Sequence, residues 1–198
     1  MKAFESSDWV VWGLALTCGA YAQSSTPSFD CSKDSSDLEK LICTDEALAA
    51  LDRKMAEVFE KALGSLPSEE LSTLKATQRG WIKGRDECSK ADDLRECVEY
   101  SYRSRIVELQ IQSGQLEVPS AVGYTCQGNE GTPVFATYYT ETDPPSAVIT
   151  VGNEQVIAFR SPSGSGAKYA ADDVELWEHQ GTATLEWLGR SYECKTDR

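Results

Sequence analysis

Apolar residues recur at helical spacing through the first half of the chain, and the pattern changes to strand-like alternation in the second. Leu41, Ile42, Leu48, Leu51, Met55, Val58, Phe59, Ala62 and Leu63 mark one face of a first helix. Ser36-Asp37-Leu38-Glu39 before it reads as a capping box, and Gly64 and Pro67 stop it. A second helix opens at Ser68-Glu69-Glu70, with acids at the positive end of its dipole. Its apolar face is Leu71, Leu74, Trp81 and Ile82. Asp92 or Asp93 caps a third, with Leu94, Cys97, Val98, Tyr102, Ile106 and Leu109 along its face. Three amphipathic helices with short connections predict a small antiparallel bundle over 29–112.

Residues 113–122 are a Gln/Ser/Gly/Pro linker with little apolar content. Beyond it, 123–126, 133–139, 147–151, 155–159, 174–177, 182–187 and 191–195 are short and rich in β-branched or aromatic residues. Gly152-Asn153 marks a hairpin turn. Seven or eight such strands predict an antiparallel barrel or sandwich over 123–198. The expected fold class is therefore α+β in two domains, a disulfide-bonded helical bundle followed by a small antiparallel β-barrel or sandwich.

Composition narrows the function classes. The chain has 198 residues and a formal net charge of -13. Such a surface argues against nucleic acid, whose phosphates need a basic face, and suits a basic partner. Seven cysteines and one histidine, with no Cys-x-x-Cys pair, point away from metal binding and toward disulfides in an oxidising compartment. The N-terminus agrees: a short apolar run around Val10 to Leu16 precedes Ala20-Tyr21-Ala22, a small-x-small cleavage signal. Residues 1–22 are thus read as a secretory signal peptide, too short in its apolar part to span a membrane. Lipidation of Cys18 is the alternative; Ala15-Leu16-Thr17 before it fit a lipid-attachment signal poorly. Cleavage after Ala22 removes Cys18 and leaves six cysteines, an even number. Cys31, Cys43, Cys88 and Cys97 fall in the helical half, in any of three pairings, and Cys126 and Cys194 in the first and last predicted strands.

No nucleophile elbow, phosphate loop or metal-ligand cluster is present, and His179 has no evident Ser or Cys partner, so the reading is not an enzyme and requires no cofactor. The informative stretch is Ser163-Gly164-Ser165-Gly166-Ala167-Lys168-Tyr169, a flexible run carrying hydroxyls, a cation and a phenol. It resembles the first motif of the membrane-bound inhibitors of c-type lysozyme, the MliC family. That family follows it with a Phe-Trp-x-Lys-Gly-x-x-Ala-like segment; here the segment reads Leu176-Trp177-Glu178-His179-Gln180-Gly181-Thr182-Ala183. The family's lysine is absent, and His179 or Gln180 stands in its place. The resemblance implies a Cys126–Cys194 bridge and contact with c-type lysozyme through Ser163, Ser165, Gly166, Lys168, Tyr169, His179 and Gln180, with Tyr169 anchoring the loop.

The first half resembles a second family. Phe29-Asp30-Cys31, Glu39-x-x-Ile42-Cys43, Leu48-x-x-Leu51-Asp52, Gln78-x-x-Trp81, Arg85-Asp86-x-Cys88, Cys97 and Tyr102-x-x-Arg105-Ile106-x-x-Leu109 look like the LprI-type N-terminal domain. On their own chemistry, Gln78, Trp81, Arg85 and Asp86 read as a packed and salt-bridged helix face. Together the two resemblances imply a periplasmic or secreted inhibitor of c-type lysozyme in the bacterial envelope. The alternative is an envelope module whose barrel holds a small ligand or glycan.

Overall fold

The computed structural model describes residues 26–33, 36–128 and 131–197. The expected signal peptide (1–22) and Cys18 lie outside these residues. Four helices precede eight strands: α1 (Asp37–Thr44), α2 (Glu46–Ser65), α3 (Ser68–Asp86), α4 (Leu94–Gln112), then β1 (Val122–Cys126), β2 (Val134–Tyr139), β3 (Ser146–Val151), β4 (Glu154–Ser161), β5 (Ala167–Ala171), β6 (Val174–His179), β7 (Thr182–Trp187) and β8 (Arg190–Thr196). The fold is the expected α+β arrangement.

The first predicted helix divides at Asp45. The Asp45 amide still closes α1 by donating to the Leu41 carbonyl, while its carboxylate accepts from the Ala47 and Leu48 amides and starts α2. A short acidic side chain competes with the helical backbone for those amides, and that competition breaks the helix. The capping box at Ser36 and Glu39 is formed, and Asp93, not Asp92, caps α4 by accepting from the Glu96 amide.

The helices enclose Leu38, Ile42, Leu48, Met55, Val58, Leu74, Val98, Tyr102, Ile106 and Leu109. Through this core runs a polar chain. Arg85 Nη1 donates to the Tyr102 hydroxyl at 2.8 Å, and that hydroxyl donates to Asp52 Oδ1 at 2.8 Å. The Ser28 amide completes it, donating to Asp52 Oδ2 at 2.6 Å. Arg105 Nε donates to Gln78 Oε1, and Trp81 Nε1 to the Ser101 carbonyl. Gln78 and Arg85 on α3 are therefore buried with internal partners, as buried polar atoms must be, while Asp86 pairs with Arg85 at the surface. Disulfides join Cys31 to Cys43 and Cys88 to Cys97.

The strands form a closed antiparallel barrel in sequential order, β8 returning to β1. Closure leaves no free edge. Cys126 and Cys194 are direct cross-strand partners at the closing seam and form the third disulfide. Inward side chains alternate with outward ones: Val134 and Ala136, Ala147 and Ile149, Val174 and Leu176, Ala183, Leu185 and Trp187 fill the interior. The two halves touch where Arg103 on α4 pairs with Asp143 in the β2–β3 connection. Beside it, Tyr100 packs edge-on against Phe159, ring centroids 6.4 Å apart. Among the described residues no helix is long and apolar enough to cross a membrane.

Candidate functional site

The antiparallel order brings the β4–β5 loop and the β6–β7 turn to the same rim of the barrel. The loop is shorter than the sequence suggested. Ala167, Lys168 and Tyr169 already belong to β5, so the exposed connection is 162–166.

Its shape is held at several atoms. Gly166 sits at φ +70°, and a Cβ there would lie 2.1 Å from the Glu178 carbonyl oxygen and 3.2 Å from His179 Cβ. Only glycine allows this approach between loop and turn. Trp177 Nε1 donates to the Ser165 carbonyl at 2.9 Å. The Gly166 carbonyl accepts from Arg160 Nη2 at 3.2 Å and from Ser163 Oγ at 3.4 Å. These bonds order a Ser/Gly run that would otherwise cost much conformational entropy to present in one shape.

Each residue singled out in the sequence now has a place. Ser163, Ser165 and Gly166 are exposed in the loop, and His179 and Gln180 are exposed at the facing turn. Gln180 has φ +50° and Gly181 φ +79°, which makes the reversal between β6 and β7. Lys168 points outward and is engaged: its Nζ lies 2.8 Å from Glu175 Oε2. Tyr169 is 2% exposed and packs inside the barrel against Tyr138, centroids 5.2 Å apart. It anchors the strand that carries the loop and does not itself face solvent.

Beneath the rim is a polar cluster that pattern reading did not single out. Alternation along β6 turns Glu178 inward, below the apolar Leu176 and Val174. The Tyr124 and Tyr138 hydroxyls lie 2.7 Å apart, and each is 3.2 Å from Glu178 Oε2. Burial pushes the Tyr124 phenol up to about 12, and burial together with the bond to Tyr124 pushes Tyr138 up as well. Arg160 was missed too. The signal was available: period-two alternation from Val156 and Ala158 places Arg160 inward, just before the loop. Its guanidinium stands over the Tyr169 ring, 5.6 Å from the centroid.

The site offers hydroxyls and carbonyls on a preshaped loop, with Arg160 and Lys168 on the strands that flank it. Among the described residues no group of three or more His, Cys, Asp or Glu could hold a metal ion.

Two family models match the chain, one in each half. A family model described as "Lysozyme inhibitor LprI" matches residues 31–116, and one described as "Membrane-bound lysozyme-inhibitor of c-type lysozyme" matches residues 124–193. Lipoprotein LprI of Mycobacterium bovis, and of two strains of Mycobacterium tuberculosis, is 36% identical over 169 residues, covering 85% of this chain and 84% of each relative. The chain belongs to the LprI family. Both matched families are described as lysozyme inhibitors. No solved structure matches the chain significantly.

Proposed function

We propose that the protein is an inhibitor of c-type lysozyme acting in the bacterial envelope, and that the rim loop 162–166 enters the lysozyme cleft. The observation that carries this reading is the loop's preorganisation. Gly166 wedged on Glu178, Trp177 bonded to Ser165 and Arg160 bonded to Gly166 hold an exposed polar loop on a closed, disulfide-locked barrel. A ligand already in its bound shape loses little entropy on docking. Glycoside hydrolysis requires two carboxylates flanking the cleft, and the hydroxyl donors of Ser165 and of Ser163, the latter exchanging its 3.4 Å bond to Gly166, suit them. His179 and Gln180 border the loop and extend the contact. The net charge of -13 supplies long-range attraction to a basic enzyme.

The alternative, a barrel holding a small ligand or glycan, is disfavoured by the interior. Tyr124, Ile149, Leu176, Leu185 and Trp187 are buried and fill it, as in other narrow barrels.

Inhibition of a c-type lysozyme by folded Ser163→Ala and Ser165→Ala variants tests the loop. Weakened inhibition is expected for the pair; full inhibition by both overturns loop insertion. Stopped-flow association should slow with added salt, and a salt-independent rate would assign the charge to solubility alone. In this proposal the mature chain begins after Ala22. The relatives are named lipoproteins, so a lipidated Cys18 is the competing outcome, and the intact mass of the exported protein decides between them.

A further inference from the structure

The family pattern places a lysine after the Trp177 position, and this chain has none there. Lys168 is occupied by Glu175 at 2.8 Å, so lending it to a partner would leave Glu175 unpaired. Arg160 differs. It is exposed, and among the described residues it makes no ion pair. One of its nitrogens bonds the Gly166 carbonyl, and its plane rests over the Tyr169 ring. A guanidinium has five N–H donors in a fixed fork, so several remain for a planar acceptor.

We infer that Arg160 supplies the cation that meets the catalytic carboxylates of the lysozyme cleft, in place of the missing lysine. This rests on the reading above that the rim loop enters that cleft. The position suits the role. Arg160 lies opposite Tyr169 in the β4–β5 register, at the base of the loop, so a cleft that receives Ser163 and Ser165 brings its carboxylates to the guanidinium. Fork-to-carboxylate pairing is bidentate and strengthens where water is excluded.

Two variants separate charge from scaffolding. Arg160→Gln keeps an N–H donor for Gly166 but removes the charge, whereas Arg160→Lys keeps the charge and loses the fork. Each is measured by calorimetry, in the full chain, against a c-type lysozyme and against the same enzyme with both cleft carboxylates converted to amides. Lys195→Ala is the control: it removes an exposed cation opposite Thr182 that has no bond to the loop. The expectation is a loss of about tenfold or more for Arg160→Gln against the unmodified enzyme, as for other close charge pairs across interfaces. Arg160→Lys should recover part of that loss. The Arg160→Gln loss should shrink to within about twofold against the amide enzyme, because the partner charges are gone.

Equal losses against both enzymes would mean that Arg160 only shapes the loop, and would overturn the inference. Full binding by Arg160→Gln would overturn it as well. Wild-type protein that fails to inhibit lysozyme at all would instead overturn the function on which it rests.

Discussion

The two halves of this chain use polar side chains in opposite ways. The helical half takes them inward. Asp52 is 2% exposed and Arg85 7%, and they are linked through the buried Tyr102 hydroxyl, so their hydrogen-bonding capacity is spent within the fold. The barrel packs its centre with apolar side chains, keeps Glu178 with the Tyr124 and Tyr138 hydroxyls beneath one rim, and exposes Ser163, Ser165, Arg160 and His179 at that rim. The covalent ties differ in the same sense. The helical disulfides span 12 and 9 residues of sequence, whereas the barrel disulfide spans 68 and joins the closing strands.

The largest test of this contrast is the long disulfide. Replacing Cys126 and Cys194 together by Ala should destabilise the barrel by about 4 kcal/mol, from the entropy of a long closed loop. Removing Cys88 and Cys97 should cost the helical half less, about 2–3 kcal/mol, because that loop is short. Denaturant unfolding monitored separately for helix and sheet checks the order; a larger effect at the short bridge would reverse it.

Next comes Asp52→Ala. It strips the acceptor from Tyr102 and Ser28 in a buried site and should destabilise the helical half by about 3 kcal/mol. Lysozyme inhibition should change less than about twofold while the protein is folded, since the rim is untouched. A large loss of inhibition in the folded variant would show that the bundle takes part in recognition.

Gly166→Ala should do the reverse. A methyl group aimed at the Glu178 carbonyl, at positive φ, forces the loop to move at a cost of about 1–3 kcal/mol. Inhibition should fall by about tenfold or more, with helix content unchanged by circular dichroism. Trp177→Phe is milder: it removes only the N–H to the Ser165 carbonyl, worth about 1 kcal/mol of loop order, and should weaken inhibition by about fivefold. Equal inhibition by wild type and both variants would mean that the loop needs no fixed shape.

The last effect is alkaline and lies outside the working pH range. The Tyr124 pKa is raised by burial to about 12 in the folded barrel, above the ordinary value near 10. The unfolded chain therefore loses this proton first as pH rises. The stabilisation is complete below about pH 10 and is lost as pH climbs toward about 12. Barrel unfolding followed over this range should show the decline, and Tyr124→Phe should flatten part of it.

Much of the architecture was legible because it rests on local rules. Apolar spacing of 3.6 and of 2, the Ser36 capping box, and the glycines and prolines at turns are all decided by near neighbours in sequence. The division at Asp45 was less visible: the apolar periodicity runs on through it, and only the competition of one carboxylate for two amides breaks the helix. Loop 163–169 was read as one flexible unit, because Ser/Gly composition hides that β6 recruits Ala167 to Tyr169 into a strand.

By itself the sequence determined the succession of a helical half and a strand half, the acidic surface, and the resemblance of its two halves to known inhibitor families. Tertiary structure alone decided which charges are available. Alternation along the chain separates the faces of Arg160 and Lys168, yet only cross-strand register sets Lys168 against Glu175 and leaves Arg160 bonded beneath the loop. The same holds for Glu178, which alternation turns inward to two tyrosine hydroxyls contributed by β1 and β2, 54 and 40 residues away in the chain. Pairing between distant strands is a property of the closed barrel, and no local pattern of residues encodes which carboxylate will face which cation.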